Sequence, residues 1–301
     1  MSESLYSPPP GDLGALHDQL YAGAIMRFSG LDAMRELVAH ARGFVEARLA
    51  PHDPVRIHEA LDREALALAL ADVQRGFSRD SEAKRLWRAL FEGAGLNPDD
   101  TARDRLLIRF QPPVPAEGGP HRARSTGTVG FHRDSWGTNL YAQVNWWAPV
   151  YPITHERTFA FLPDLFDQLI PNDSESFDLA EVMERGRLAG PAADRGRMAP
   201  APLPGTDLGA GQAVVIDPGE VIAFSAQHAH VGVPNLSGFT RISLETRTLR
   251  LSDFIAGWGA RNVDGKAKWI AHGMFRRLSD GALLTDALQL APLAPFHHGL
   301  G

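Results

Sequence analysis

Apolar residues recur every third or fourth position along 31–49 (LDAMRELVAHARGFVEARL), with charged residues between them. That spacing predicts an amphipathic helix. The same period runs through 62–77 and 81–93, after which Gly95 and Pro98 give a stop signal. A short apolar run at 21–28 reads as a strand leading into the first helix. Near Arg105 the pattern changes to short runs rich in Val, Ile, Phe, Thr and Trp, separated by Pro and Gly. These predict strands at 106–111, 128–132, 140–147, 158–162, 213–216, 220–225 and 240–249, with a turn at Asp217-Pro218-Gly219. From Ser252 onward the chain reads as helical again, most clearly over 269–278.

Many short strands without interleaved helices argue for an antiparallel sandwich. The expected fold is mainly β with flanking helices, around a jelly-roll core of the double-stranded β-helix (cupin-like) type. Residues 1–301 are read as one domain: a mostly helical 1–104, a β core at 105–250 and a helical 251–301. Two stretches, 112–127 and 164–211, are long, polar and rich in Pro, Gly and Arg. Connections of that length are functional lids or disordered segments.

Composition narrows the chemistry. The chain has 301 residues, 44% of them hydrophobic, which is enough for a full core. Its net charge of −6 and lack of a basic block argue against nucleic-acid and anionic-membrane partners. No stretch approaches 18 uninterrupted apolar residues and the first residues hold no apolar secretory region, so a soluble, cytoplasmic protein is expected. The absence of cysteine excludes disulfides, thiolate nucleophiles and Cys-ligated zinc or iron–sulfur clusters. A metal must sit on His, Asp or Glu.

His132-Arg133-Asp134 closes an apolar run and opens a turn, and residues two apart on a strand share a face. His230 follows the run Val221-Ile222-Ala223-Phe224, again near a strand end. Any one of these histidines alone is more simply a surface or core residue. Together, two imidazoles and a carboxylate make a facial triad whose open positions suit non-haem iron(II). Arg241 comes eleven residues after His230 on a strand where alternation places Ser243 on the same face. A guanidinium offers a carboxylate a bidentate fork, and a hydroxyl two residues on adds a third hydrogen bond. The alternative pairs Arg241 with an internal acid such as Glu245.

His132-x-Asp134, followed by His230, Asn235 and Arg241 in the order H-x4-N-x5-R, resembles the iron(II)/2-oxoglutarate-dependent oxygenases, with the phytanoyl-CoA dioxygenase-like branch closest. The resemblance covers about residues 105–250 and implies a double-stranded β-helix core. It implies that His132, Asp134 and His230 hold Fe(2+), and that Arg241 anchors the 2-oxoglutarate C5 carboxylate. O2 would be the co-reactant, and the outcome hydroxylation of a small molecule with decarboxylation of 2-oxoglutarate to succinate and CO2. The sequence departs from the family at Glu156-Arg157-Thr158, which replaces the usual Asn-Gly, and 164–211 has no counterpart. The expected partner is a small-molecule substrate, such as a natural-product or amino-acid-like intermediate. Its identity and the oligomeric state stay open.

Strand 140–147 (LYAQVNWW) adds a separate argument. Tyr141, Gln143, Asn145 and Trp147 share one face, while Leu140, Ala142, Val144 and Trp146 share the other. The first face reads as an active-site lining in which Asn145 and Trp147 flank the cosubstrate. His228 competes with His230 as a ligand, the spacing to Asn235 and Arg241 favouring His230. Arg247, on the same face as Arg241, reads as a second anion-binder or a rim residue. His121 and Arg122 read as solvated loop residues and His155-Glu156 as a turn. Two other functions compete: a cupin-like metal enzyme without 2-oxoglutarate, and a non-catalytic jelly-roll binding protein.

Overall fold

The computed structural model describes residues 5–114, 129–188, 197–288 and 294–295. The N-terminal part is helical: α1 (Leu16–Tyr21), α2 (Asp32–Leu49), α3 (Ile57–Ala60), α4 (Arg63–Arg79) and α5 (Ser81–Gly93). Side-chain oxygens of Asp62 and Asp80 cap α4 and α5 by accepting from Ala65 N at 2.8 Å and Ala83 N at 2.7 Å. The buried stripe of α2 is Met34, Leu37, Val38, Ala41 and Val45, the three-four spacing read from the sequence.

Strands β1 (Met26–Phe28), β2 (Thr101–Arg103), β3 (Leu107–Gln111) and β4 (Gln143–Pro149) precede the small-sheet strands β5 (Phe159–Phe161) and β6 (Gln212–Ala213). They are followed by β7 (Val221–Ser225), β8 (His230–Gly232), β9 (Arg241–Arg250), β10 (Trp269–Ile270), β11 (Arg276–Arg277) and β12 (Ala294–Pro295). The larger sheet runs β1-β7-β4-β9-β2-β11, and β3 shares with β2 the second edge of β9. A smaller sheet runs β6-β5-β8, and β10 pairs with β12. Every pairing between these strands is antiparallel. The result is the jelly-roll sandwich with flanking helices.

Two cores follow from strand alternation. Val144, Trp146 and Ala148 of β4, Val221 and Ala223 of β7, and Ile242 and Leu244 of β9 pack against the helices. On the opposite face Trp147, Ile222 and Phe224 meet Phe159 and Phe161 of the small sheet. The two-face reading of 140–147 therefore holds, although the strand begins at Gln143. At Asp217-Pro218-Gly219 the turn puts Gly219 at φ 100°, a left-handed backbone that costs glycine no Cβ clash.

Three expectations fail. Residues 269–278 form no helix but two short strands around a 3-10 turn (His272–Met274). Their backbone groups bond elsewhere: Arg276 and Arg277 pair with β2, Leu278 N donates to Thr101 O at 2.8 Å, and Ala271 N to Thr138 O at 2.9 Å. The expected strand at 128–132 reduces, among the described residues, to one bridge between His132 and His230. Helix α6 (Asp134–Thr138) starts straight after it, where only a turn was expected.

The 164–211 insert is partly built into the fold. Phe166, Ile170, Ser174 and Phe177 are buried, Asp173 N donates to Ala201 O at 3.1 Å, and helix α7 (Leu179–Leu188) follows. The expected lid at 112–127 lies almost wholly outside the described residues. Helices α8 (Leu251–Ala256) and α9 (Leu284–Leu288) lie in the C-terminal part, and among the described residues no helix is long and apolar enough to cross a membrane.

Candidate metal centre

His132 and His230 face each other across a two-way backbone pairing, His132 N to His230 O at 3.0 Å and His230 N to His132 O at 3.1 Å. Their rings lie 4.3 Å apart. Asp134 sits two residues on, at the first position of α6, with Oδ1 3.7 Å from His132 Nε2. One ligand atom from each of the three lies within 4.8 Å of the others, a spacing a single divalent ion can bridge. Each imidazole also has its other nitrogen engaged: His132 Nδ1 with Gly130 O at 2.9 Å, and His230 Nδ1 with His228 O at 3.0 Å. A carbonyl can only accept, so both Nδ1 atoms carry the proton and both Nε2 lone pairs turn inward.

Electrostatics keep the set ready for a cation. Burial pushes His230 down to about 3, with the charge of His132 adding, so its imidazole is neutral at physiological pH. Burial acts to raise the Asp134 carboxyl but is outweighed, by Arg247 first and then by the hydrogen bond and charge of His132. The net effect holds it well below the usual carboxylate range, and Asp134 is ionised.

The side chains around Asp134 fix its orientation. Asn145 Nδ2 donates to Oδ2 at 2.7 Å, and Gln143 Nε2 in turn donates to Asn145 Oδ1 at 2.9 Å. Arg247 Nη2 donates to Asp134 Oδ1 at 3.2 Å, and its Nη1 lies 3.7 Å from Asp104. Arg133, between the two ligands of the His-x-Asp step, points the other way and is fully buried. Its guanidinium donates to the backbone carbonyls of Leu165, Phe166 and Gln168, and its Nε is 3.6 Å from Asp264. Asp264 also accepts from Trp136 Nε1 at 2.7 Å and Ile170 N at 3.1 Å.

Arg241 and Ser243 share the face of β9 that carries Glu245 and Arg247, opposite Pro149, Trp147 and Asn145 of β4. Arg241 Nε and Nη1 and Ser243 Oγ are buried without a hydrogen-bond partner. Burial pushes Arg241 down to about 10, with Glu245 opposing and Arg109 adding, so the guanidinium stays charged near neutrality. Glu245 does not take it up: its carboxylate is paired with Arg109 of β3. Asn235 ties the approach to β9, donating to Gln111 O at 2.7 Å and Phe239 O at 2.8 Å.

The sequence-derived candidates are thus distributed as follows. His132, Asp134 and His230 converge, with Asn145 on Asp134. Trp147 lies in the apolar cluster between the sheets, edge-on to Phe159 at 5.0 Å. His228 is turned away, 2% exposed, its ring nitrogens 3.1 Å from Ser225 O and 3.0 Å from Gly23 O. His121 and Arg122 lie outside the described residues. Asp104, Arg109 and the Arg133–Asp264 contact were missed. Alternation along 106–111 puts Arg109 on the Gln111 face, but its pairing with β9 is set by tertiary register.

No family profile matches the chain, and no curated protein sequence does. Similar folds appear among solved structures. The non-heme alpha-ketoglutarate-dependent carbocyclase SnoK from nogalamycin biosynthesis is 14% identical, with 97% of each chain covered and a TM-score of 0.44. EvdO2 from Micromonospora carbonacea var. aurantiaca, complexed with 2-oxoglutarate, is 12% identical over 78% of this chain and 89% of its own, with a TM-score of 0.45. The non-heme monooxygenase ThoJ is 14% identical over 79% of this chain and 77% of its own, with a TM-score of 0.45.

Proposed function

We propose that this chain is a single-domain iron(II)/2-oxoglutarate-dependent oxygenase that hydroxylates a small molecule. The observation that carries the reading is the pair of buried, unpartnered Arg241 nitrogens, Nε and Nη1, beside the unpartnered Ser243 hydroxyl. A buried cation without a counter-ion is costly unless an anion arrives to pair with it. A dicarboxylate cosubstrate supplies one carboxylate to this pair and keeps its other end for the metal. The donor set fits Fe(II): two imidazole Nε2 atoms, each ring held through Nδ1 by a backbone carbonyl, and one ionised carboxylate leave coordination positions for cosubstrate and O2. The spacing H-x-D, H-x4-N-x5-R supports the phytanoyl-CoA dioxygenase-like branch.

Iron would supply O2 activation and the oxidation of a C–H bond. The chain's own residues do the rest. His132, Asp134 and His230 hold the ion, with Asn145 fixing the carboxylate. Arg241 and Ser243 orient 2-oxoglutarate, and the Phe159, Phe161 and Phe224 cluster against the His230 ring keeps that side dry. A cupin-like enzyme without 2-oxoglutarate gives Arg241 and Ser243 nothing to bind, and a non-catalytic binder needs no such cradle.

Anaerobic titration of the protein and Fe(II) with 2-oxoglutarate should produce a visible charge-transfer band that saturates at one equivalent. Absence of the band with metal demonstrably bound would overturn this reading in favour of a metal enzyme without 2-oxoglutarate.

A further inference from the structure

Away from the metal centre, α5, β2 and β11 enclose a cleft of about 320 Å³ lined by Lys84, Arg85, Arg88, Arg103, Arg276 and Arg277. We propose that this cleft is an anion site for the diphosphate group of a small molecule. Six cations converge there in a chain whose net charge is −6. Three of them carry their own acids: Arg85 with Glu82 at 2.7 Å, Arg88 with Glu92 at 2.9 Å, and Arg277 with Asp280. Among the described residues the other three bond only backbone carbonyls: Lys84 to Arg79 O at 3.0 Å, Arg103 to Asp104 O at 2.9 Å, and Arg276 to Gly281 O at 3.0 Å.

The register sharpens this. Arg276 of β11 stands directly opposite Arg103 of β2. Like charges in opposed cross-strand positions repel, a cost that the charge of Asp104 offsets at Arg103. The nearest carboxylate along the chain, Asp104, is turned to the other side, accepting from Arg105 N at 2.6 Å and lying 3.7 Å from Arg247. Burial, with Arg276 adding, also lowers the Arg103 pKa despite the opposing charge of Asp104. Guanidinium forks at fixed spacing match phosphate oxygens bidentately, and a second phosphate uses the second fork. The volume lies at the low end of the range for small-molecule sites.

Calorimetric titration of the full chain with inorganic pyrophosphate, at constant ionic strength, tests the assignment. The wild type should bind one equivalent, and affinity should fall steeply with added salt. Arg276→Ala, at an exposed position, and Arg103→Met should each weaken binding about tenfold or more. Arg63→Ala, at the first residue of the 17-residue α4 and so at the opposite end of that helix from Arg79, should bind like wild type. A parallel titration with ADP separates the sources of the group: equal affinity assigns the site to diphosphate alone, and tighter binding of ADP to a nucleotide-borne one. Thermal melting gives a second readout, since pyrophosphate should raise the wild-type Tm and not that of Arg276→Ala. No binding by the wild type, or equal binding by Arg276→Ala and Arg103→Met, would overturn the proposal. Pyrophosphate chelated by a metal at the triad would give that second result.

Discussion

Glu245 is paired with Arg109 across the β3–β9 register, which leaves Arg241, four residues earlier on the same face of β9, with two unbonded guanidinium nitrogens. On the proposed function Arg109 is a positioning residue, keeping the acid off the cation proposed to bind 2-oxoglutarate. Arg109→Ala should free Glu245 to close on Arg241 and raise the 2-oxoglutarate concentration for half-saturation about tenfold or more, with kcat changed little. Arg109→Ala combined with Glu245→Gln should restore much of the lost affinity, because the competing charge is gone. If the single variant titrates like wild type, the pairing has no bearing on the cosubstrate.

Two arginines on one strand face should behave differently. Arg241→Ala should leave metal affinity nearly unchanged while raising the 2-oxoglutarate requirement over a hundredfold, from about 3–5 kcal/mol for leaving a buried carboxylate unpaired. Arg247 instead touches Asp134 and Asp104. Arg247→Ala should act on the metal carboxylate and spare the cosubstrate affinity. Iron and 2-oxoglutarate titrations of both variants decide it, and matching profiles would mean that the wrong arginine has been assigned to the cosubstrate.

The ligand set can be tested against its nearest competitor. His132→Ala, Asp134→Ala and His230→Ala should each abolish binding of Fe(II) or its Co(II) surrogate while far-UV circular dichroism stays native. Asn145→Ala should weaken metal by about ten- to a hundredfold, the usual cost of losing a partner that orients a ligand. His228→Ala should keep the metal but lower Tm, because its ring bridges the backbone at Ser225 and Gly23. Loss of metal from His228→Ala with retention in His230→Ala would reverse the assignment.

What could be read from the chain follows from range. Alternation along 140–147 and 240–249 is a local signal: it placed Asn145 with Trp147 on one face of its strand, and Arg241, Ser243 and Arg247 on one face of theirs, while the β4–β9 pairing that joins the two faces came only from the fold. The His-x-Asp step stood out because it closes an apolar run and His230 because it follows one, although in the fold His230 opens its own strand, β8. Partners joined only by folding did not show. Asp264 meets Arg133 across more than a hundred residues, and Arg109 meets Glu245 through strand register. Residues 269–278 carry an apolar spacing that suits a helix, yet their backbone groups are claimed by β2 and Thr138. Local propensity loses to tertiary hydrogen bonding there.

The Arg133–Asp264 contact implies a mechanical dependence. Arg133 anchors three carbonyls of the segment that opens the 164–211 insert, directly from between the two proposed ligands His132 and Asp134. Arg133→Met should leave Asp264 buried without its cation, costing about 3–5 kcal/mol. Limited proteolysis should then cut within 163–174, which the wild type protects. Metal affinity should fall in parallel as His132 and Asp134 lose their shared support. An unchanged cleavage pattern would show that the insert holds itself in place.

The last prediction concerns the outcome at the substrate. Three protein donors leave a six-coordinate ion three positions, and 2-oxoglutarate and O2 account for them. Asp134, oriented by Asn145 and Arg247, would as a ligand take the position a halide needs. Transfer of oxygen to carbon is therefore expected even when chloride is abundant. Turnover under ¹⁸O2 with excess chloride, read by mass spectrometry, should add one labelled oxygen to the product and a second to succinate. Loss of two hydrogens without label would move the reading from hydroxylation to desaturation or ring closure, with the same metal centre. A chlorinated product would mean that Asp134 does not stay on the ion, and the role assigned to it here would fall.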